Sequence, residues 1–286
     1  MPWLTPVVKG NLLHDKIAVV TGGGGGIGGG VSRRLAGEGA TVVINDIDED
    51  LLTATVAAIR GSGSDDSDGD AIPVLGDIRT QAAVDELARV ASDVDGGRID
   101  ILVNNVGDYR PSGRFLTTSP EEWNALYAIN LEHVFRCTRS MAPVMVARGG
   151  GSIVNVSTVE ALRGIPNCAV YSAFNGGVNA FTRSLAVELG PSGVRVNAIA
   201  PDLADTLQTP ATMMLRGRDP GMVRHWSPVG HFGQPDEYAD VVVFLASDLS
   251  RYVTGHVIPV DGGTIAASGW YLRASGRGWT NMPDVP

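Results

Sequence analysis

A tyrosine and an asparagine one helical turn apart are the residues of this chain best placed to do chemistry. They are Tyr171 and Asn175, in the stretch VYSAFNGG. Positions i and i+4 of a helix share one face, so the two side chains project together. A tyrosine so placed could exchange a proton with a substrate oxygen, but its ordinary pKa is about 10. A cation one turn away would stabilise the phenolate, and the sequence has an uncharged amide there.

A glycine-rich turn is the second feature with chemical meaning. TGGGGGIGGG follows a strand-like run and leads into the helix-like segment VSRRLAGEG. Glycines let the backbone approach a pyrophosphate, and a helix N-terminus supplies N–H donors and the positive end of a dipole. A flexible loop would have a similar composition, but the strand–turn–helix context favours a dinucleotide site.

Asp46 ends the next strand-like run, VVIND, about twenty residues beyond the glycine turn. A carboxylate at that place accepts hydrogen bonds from both ribose hydroxyls and repels a 2′-phosphate. No arginine follows Asp46 to neutralise it. The pattern therefore predicts NAD(H) rather than NADP(H) as the cofactor, with an ordinary strand-end turn residue as the alternative for Asp46.

The elements that must position these residues alternate between strand-like and helix-like segments. Continuous β-branched runs separated by helical patterns predict an α/β fold, a single-domain doubly wound parallel sheet with helices on both faces. The domain extends over 16–263, between an N-terminal extension, 1–15, and a C-terminal tail, 264–286. The predicted strands are 17–21, 41–45, 71–75, 99–105, 152–157, 194–200 and 256–260.

A long, poorly periodic stretch, 206–233, separates the sixth predicted strand from the last helix. Long loops inside compact domains are often lids or binding loops. We therefore interpret 206–233 as a substrate lid. Its apolar residues favour a hydrophobic substrate: Met213, Met214, Leu215, Met222, Val223 and Trp226.

The composition narrows the class of protein. A net charge of −9 over 286 residues, with no basic run, argues against a nucleic-acid partner. Two cysteines suit a reducing cytosol, and the N-terminus lacks the pattern of a signal peptide. No apolar run approaches the ~20 residues of a membrane span. We expect a cytoplasmic protein without a membrane partner, and no histidine spacing predicts a metal site.

Ordered motifs along the chain resemble those of the short-chain dehydrogenase/reductase (SDR) family. TGGGGGIG resembles the T-G-x-x-x-G-x-G cofactor loop, GDI the acidic turn that contacts adenine, NNVG the N-N-A-G motif and PDLADT the P-G-x-x-x-T motif. YVTGHVIPVDGG resembles the closing strand, so the resemblance covers about 16–263. It implies seven parallel strands in the order 3-2-1-4-5-6-7 and a homo-oligomer, a tetramer or dimer.

The same resemblance assigns site residues. The family usually works with Asn, Ser, Tyr and Lys, and the matching positions here are Asn130, Thr158, Tyr171 and Asn175. It implies a water-holding role for the first, substrate-oxygen binding by the second, proton transfer by the tyrosine and ribose binding by the last. The implied cofactor-binding residues are Gly22, Gly26, Ile27, Gly28, Asp46, Asp77, Ile78, Asn105, Gly107, Tyr171, Asn175 and Thr206, with Thr206 at the nicotinamide carboxamide.

Two positions depart from the family pattern. Thr158 keeps the hydroxyl of the usual serine, and Ser157 could replace it only if the strand end shifted. Asn175 replaces lysine and carries no charge. Losing ~1–3 pKa units of stabilisation would lower the rate ~10- to 1000-fold, which weakens an enzyme without abolishing it. Glu160 either lines the substrate pocket, where it could bind a substrate hydroxyl, or is an exposed loop residue. His133 receives no role.

Three functions remain open from the sequence. The leading one is an NAD(H)-dependent oxidoreductase that interconverts a secondary alcohol and a ketone on a hydrophobic, alicyclic or steroid-like substrate. The second is a redox-inactive nucleotide-binding scaffold or regulatory subunit. The third is an isomerase or lyase that uses Tyr171 or Glu160 with the cofactor as structural support.

Overall fold

A seven-stranded parallel sheet is the central layer of the described residues, which are 11–62 and 69–280 of this computed structural model. The strands are β1 (Ile17–Thr21), β2 (Thr41–Asp46), β3 (Ala71–Leu75), β4 (Ile101–Asn104), β5 (Gly151–Val156), β6 (Val194–Pro201) and β7 (Val257–Val260). Their spatial order is β3-β2-β1-β4-β5-β6-β7, and every pairing is parallel. The predicted strand number and order are confirmed.

Helices connect the strands and cover both faces of the sheet. They are α1 (Gly26–Gly37), α2 (Glu49–Ser62), α3 (Gln81–Asp93), α4 (Pro120–Tyr127), α5 (His133–Arg148), α6 (Ala169–Leu189), α7 (Ala211–Leu215) and α8 (Pro235–Ala246). A capping box between Ser119 and Glu122 starts α4, and left-handed Gly149 ends α5. None of these helices is long and apolar enough to cross a membrane.

Each central strand supplies side chains to two apolar cores. Val20 packs in the core beneath α1, α2 and α8, whereas its neighbour Val19 packs in the core beneath α3, α5 and α6. Successive strand residues point to opposite faces, so a strand buried on both sides is apolar throughout. The predicted doubly wound α/β fold is therefore confirmed.

The segment 206–233 has more structure than its irregular sequence predicts. It contains α7 and a 3₁₀ turn, Pro220–His225, and these pack around a small apolar cluster of their own formed by Leu215, Val223 and Phe232. At its base, Ala204 and Gly233 pair as a parallel β-bridge. Leu215, Val223 and Phe232 thus hold the segment together from within.

The C-terminal tail continues from the last strand into a small hairpin. Strands β8 (Tyr271–Leu272) and β9 (Trp279–Thr280) pair antiparallel, and the Leu272 carbonyl oxygen lies 2.8 Å from Nδ1 of His225. The tail therefore packs on the 206–233 segment. Most of the predicted N-terminal extension, 1–10, and the tail's end, 281–286, lie outside the described residues.

Candidate active site

The carboxyl ends of the central strands open into a cleft of about 880 Å³. The structure brings most of the predicted site residues to its wall. These are Gly22, Gly26, Ile27, Asp46, Asn105, Gly107, Asn130, Thr158, Tyr171, Asn175 and Thr206. Gly28, Asp77 and Ile78 are not part of this lining. The nucleotide motifs and the candidate catalytic residues therefore share one continuous cleft.

The glycine turn is shaped by its backbone. Gly26 has a φ of +54°, a left-handed conformation that side chains disfavour. A Cβ at Gly28 would overlap the carbonyl oxygen of Gly22, so only glycine fits there. Asn105 fastens the turn, because its side-chain nitrogen donates to the carbonyl oxygens of Thr21 (3.0 Å) and Gly22 (3.1 Å). Gly28 and Asn105 thus shape a backbone cradle at the N-terminus of α1.

Asp46 lies beside this cradle at the end of β2. Its carboxylate accepts backbone hydrogen bonds from Gly24 at 2.8 Å and Asp48 at 3.0 Å. No basic side chain of the described residues forms an ion pair with it. An ionised carboxylate has about four acceptor sites, so two backbone bonds leave capacity for further donors. The residue that follows, Ile47, is exposed and uncharged.

The acidic turn after β3, which holds Asp77 and Ile78, is not part of the cleft lining. Asp77 is bound by Arg79 at 2.7 Å, and this hydrogen bond holds the pKa of Asp77 below its ordinary value. Ile78 is buried in the core below the sheet. The predicted adenine contacts at Asp77 and Ile78 stay predictions.

Thr158 and Tyr171, which the family resemblance predicts to bind and protonate a substrate oxygen, both line the cleft. Thr158 follows β5, Tyr171 lies in the first turn of α6, and their side chains are hydrogen-bond neighbours. Ser157 instead donates its hydroxyl to the backbone carbonyl of Asn175 at 3.4 Å. The strand end is therefore in the register that presents the threonine hydroxyl to the phenol.

Asn175 is buried on the cleft wall one turn beyond Tyr171. Its side-chain nitrogen donates to the backbone carbonyl of Tyr171 at 3.1 Å, so the amide folds back on its own helix. The sequence predicted that Asn175 and Tyr171 share a face, and the structure places both on this cleft. The amide brings no positive charge to the phenol.

Burial raises the pKa of the Tyr171 phenol to about 12. The hydrogen bond from Thr158 opposes this shift, and the negative charge of Glu160 adds to it. Desolvation penalises the phenolate because it is the charged form. In the protein alone, Tyr171 is therefore protonated at neutral pH, and its phenolate is scarcely populated.

Asn130 lies in a π-helical turn, Ala128–Glu132, between α4 and α5. Such turns occur frequently at functional sites. The side-chain oxygen of Asn130 accepts from the Asp108 backbone N–H at 3.1 Å, and its nitrogen donates to the Asp108 and Leu126 carbonyls at 2.9 Å. The side chain thus fixes the loop after β4, with Asp108 on the cleft wall.

His133 supports the same loop from below. It is fully buried, and its Nε2 lies 2.9 Å from the carbonyl oxygen of Val106. Burial lowers the pKa of His133 to about 4, against the opposing effect of backbone carbonyls. The neutral imidazole therefore ties α5 to the residue between Asn105 and Gly107. Its sequence spacing also suited an exposed helix surface, so the sequence did not reveal this contact.

Two carboxylates of the cleft wall share one guanidinium. Arg163 Nη2 contacts Glu160 at 3.1 Å and Asp202 at 2.8 Å. Glu160 and Asp202 line the cleft, and their side chains are 15% and 10% exposed. Of the two readings of Glu160 from the sequence, the structure therefore bears out the pocket-lining one.

Asp202 is the residue of this network that sequence reasoning missed. It stands where the P-G-x-x-x-T motif has glycine, so a signal was present in PDLADT. Its Oδ2 also accepts from the Thr264 hydroxyl at 2.6 Å, which connects the network to the C-terminal tail. Arg163 carried no sequence signal, because its role depends on carboxylates from separate loops.

Thr206 is buried beside the glycine turn. A Cβ added at Gly26 would lie 3.6 Å from the Thr206 side chain, and the Thr206 and Thr209 hydroxyls are 3.1 Å apart. Gln208 reaches across to donate to the Gly107 carbonyl at 3.2 Å. The start of the 206–233 segment thus lies against both nucleotide motifs. Within 11–62 and 69–280, no group of three or more His, Cys, Asp or Glu residues could hold a metal.

Comparisons with known proteins cover the same elements. A family model described as enoyl-(acyl carrier protein) reductase matches residues 22–264. The 3-oxoacyl-[acyl-carrier-protein] reductase FabG of Thermotoga maritima is 37% identical over 255 residues, 88% of this chain and 99% of that protein. Levodione reductase has a crystal structure that matches with a TM-score of 0.82 at 32% identity, covering 89% of this chain and 99% of the other.

A third similarity concerns a structure with bound cofactor. The 3-ketoacyl-(acyl-carrier-protein) reductase from Brucella melitensis, crystallised in complex with NADH, matches with a TM-score of 0.77 at 33% identity. The match covers 88% of this chain and 99% of that chain. All three relatives are named reductases, and the family match runs from the glycine turn past the last strand of the sheet. The chain belongs to the short-chain dehydrogenase/reductase family of oxidoreductases.

Proposed function

We propose that this protein is an NAD(H)-dependent oxidoreductase that interconverts a secondary alcohol and a ketone on a hydrophobic, alicyclic or steroid-like substrate. One observation carries the proposal. The Thr158–Tyr171 pair faces the same cleft as Asp46 and the glycine turn. A dinucleotide along that turn would therefore extend toward the phenol, as ligands in open α/β sheets lie across the strand ends.

The residues present suit NAD(H). Gly22 and Gly26 adopt left-handed backbone conformations on the cleft wall where a pyrophosphate would lie, and Asp46 keeps acceptor capacity for ribose hydroxyls. A 2′-phosphate would meet the buried carboxylate of Asp46 without a neutralising cation. The NADH complex of the Brucella relative supports a nicotinamide cofactor. When bound, the nicotinamide supplies or accepts the hydride at C4.

The chain's own residues supply the proton and the orientation. Tyr171 gives a proton to the substrate oxygen during reduction and takes it back during oxidation, while Thr158 donates a hydrogen bond to the same oxygen. Asn130 holds the Asp108 loop that borders this position, and we assign it the support of a proton relay. Thr206 holds the carboxamide end of the cofactor.

Asn175 makes the two directions unequal. The raised pKa of Tyr171 keeps the phenol protonated, which suits ketone reduction at neutral pH. Alcohol oxidation needs the phenolate, whose formation no lysine assists. The Asn175 amide could meet a ribose hydroxyl through its side-chain oxygen, because its nitrogen is bonded to the Tyr171 carbonyl. We therefore propose that the replacement of lysine by Asn175 lowers kcat mainly for alcohol oxidation.

The substrate end of the cleft has apolar walls. They are formed by Val156, Leu203, Ile165, Pro166, Met213 and Met214. Two of these belong to the 206–233 segment, which we propose to act as the substrate lid. Levodione reductase and the 3-oxoacyl reductase are named for ketone-containing substrates, in keeping with a carbonyl group as the reacting centre. We further propose a cytoplasmic homotetramer or dimer.

A panel assay tests the function. The purified protein is assayed with NAD⁺ or NADH against cyclic and acyclic secondary alcohols and their ketones, and NADH binding is followed separately by fluorescence. We expect turnover of alicyclic substrates, faster in reduction than in oxidation at pH 7. NADH binding without turnover of any ketone or alcohol would favour the redox-inactive scaffold, and chemical conversion without hydride transfer would favour the isomerase or lyase.

A further inference from the structure

We propose that Glu160 selects substrates that carry a second hydrogen-bond donor, a hydroxyl or an ammonium group, close to the reacting carbon. This inference rests on the proposed function and specifies the substrate class of the same cleft. Glu160 lies on the cleft wall with Thr158 and Tyr171, two residues beyond the threonine. A substrate oxygen bound to that pair would bring its neighbouring substituents toward the Glu160 carboxylate.

The Glu160 carboxylate has acceptor capacity to spare. Both of its oxygens contact Arg163, at 3.1 Å and 3.4 Å, and no other donor among the described residues reaches them. The Asp202 carboxylate has less free acceptor capacity, because Arg163, Thr264 and the Leu203 backbone N–H all donate to it. A carboxylate accepts about four hydrogen bonds. Glu160 is therefore the member of the network that can bind a substrate group.

The network also carries a net negative charge. One guanidinium serves two carboxylates, so Glu160, Arg163 and Asp202 together have a formal charge of −1. The other acid near Tyr171, Asp108, is neutralised by Arg110 at 2.7 Å. A mostly buried charge is costly unless it is paired, and a donor on the substrate would complete the pairing. A substrate carboxylate at this place would be repelled.

Two basic side chains line the cleft among the described residues, Arg110, which is paired with Asp108, and Arg216. Arg216 follows α7 in the 206–233 segment and is exposed. It belongs to the 206–233 segment, whereas Glu160 lies in the turn that follows β5. The geometry therefore favours an apolar ring or chain whose second polar substituent points to the β5 and β6 ends.

Substrate preference tests the inference. Cyclohexanol, 1,2-cyclohexanediol and 2-aminocyclohexanol are compared with NAD⁺ in the wild type, Glu160→Gln and the control Glu86→Gln. Glu86 also pairs with an arginine but lies on the exposed face of α3. We expect the diol and the amino alcohol to exceed cyclohexanol roughly ten- to hundredfold in kcat/KM, as hydrogen bonds to charged groups do in affinity.

A comparison of the diol, which carries a second hydroxyl, with the amino alcohol, which carries an ammonium group, separates the effect of charge from that of hydrogen bonding. Glutamine accepts a hydrogen bond but cannot neutralise an ammonium group, so Glu160→Gln should reduce the preference for the amino alcohol more than that for the diol. Glu86→Gln should keep both preferences. Unchanged preference ratios in Glu160→Gln, with cyclohexanol still oxidised, would overturn the inference while leaving the proposed function intact.

Equilibrium binding provides a second readout. Dissociation constants of the three compounds are measured by fluorescence in the presence of NADH, where no oxidation occurs. We expect tighter binding of the two donor-bearing compounds to the wild type and loss of this advantage in Glu160→Gln. If none of the three compounds is oxidised, equal binding of all three by the wild type would overturn the inference, whereas the panel of alcohols and ketones tests the proposed function separately.

Discussion

The nucleotide end of the cleft is built mainly from backbone, whereas the catalytic end is built from side chains. At the first, Gly26 and Gly28 shape the turn, and Asp46 is oriented by two backbone N–H groups. At the second, the proposed chemistry depends on the phenol of Tyr171, whose pKa is set by burial and by the groups around it. Backbone geometry follows the motif as long as the glycines remain. Side-chain chemistry changes with a single substitution, as Asn175 shows.

The difference teaches where this family member has diverged. The glycine turn and Asp46 match the family pattern, so cofactor binding is expected to be ordinary. The catalytic end combines an uncharged Asn175, a pocket-lining Glu160 and an acid at Asp202 in place of glycine. All three substitutions make the surroundings of Tyr171 more negative or less positive than the family pattern would.

The largest effect is expected at Tyr171, which would break the catalytic end alone. Tyr171→Phe removes the proton donor and should lower kcat ~10²- to 10⁴-fold in both directions, the usual contribution of general acid–base catalysis. NADH binding should change much less than kcat, because the phenol is one of many implied cofactor contacts and the backbone cradle is untouched. Initial rates and fluorescence titration measure the two quantities. A variant with near wild-type kcat would remove Tyr171 from the mechanism.

A lysine at position 175 should restore the cation that Tyr171 lacks and change the catalytic end of the cleft alone. Tyr171 has a pKa of about 12 in the protein, so the phenolate fraction and the oxidation rate should rise with pH throughout the neutral range. Asn175→Lys should lower the pKa of Tyr171 and raise kcat for alcohol oxidation at pH 7 by ~10- to 1000-fold. Reduction uses the protonated phenol and should gain less.

The control for this variant is Asn175→Met, which adds length without charge. Its pH–rate profile should stay at the wild-type position, whereas that of Asn175→Lys moves to lower pH. If the pH–rate profiles of Asn175→Lys and Asn175→Met are alike, the size of the side chain at position 175 matters rather than its charge. Another group would then stabilise the phenolate.

Asp46 allows the nucleotide end to be altered alone. Asp46→Asn removes the charge that repels a 2′-phosphate and weakens the ribose contacts, so the ratio of NADH to NADPH affinity should fall about tenfold, or ~1.4 kcal/mol. Paired titrations with both nucleotides measure it, with Asp85→Asn on α3 as the control. Tighter NADPH binding by the wild type would contradict the assignment of Asp46.

His133 joins the two ends through Val106 and should have the smallest effect on activity. Its folded pKa of about 4 lies below the ordinary 6.5. Between these values the unfolded chain binds a proton that the folded chain does not. The free energy of unfolding should therefore fall as the pH drops from 6.5 to 4, by on the order of 3 kcal/mol from this residue.

Urea denaturation at several pH values measures this contribution. His133→Gln should show a shallower fall between pH 6.5 and 4 than the wild type, because glutamine does not titrate. Equal slopes for the two proteins would show that the buried imidazole does not control stability in this range.

Most of the fold was predictable from the sequence because its signals are local. The strand run 17–21 matches the structure, since a strand buried on both faces must be apolar along its whole length. The run 71–75 matches the edge strand β3, which is only partly buried. The glycine turn and Asp46 were predictable for a similar reason, because the turn's backbone demands glycine and the strand end fixes the acid's place. The irregular 206–233 segment was less predictable, since its structure comes from packing around its own apolar cluster.

Periodicity along the sequence determined the alternation of strands and helices, and the resemblance of its motifs to the family implied the sheet order and the place of Tyr171. Only the tertiary structure decided how the side chains there are charged and bonded. It brought Arg163 between Glu160 and Asp202, buried His133 under Val106 and folded the Asn175 amide back on α6. The first two arrangements join residues from separate elements, and all three depend on side-chain directions and desolvation. Side-chain directions and desolvation cannot be read from spacing along the chain.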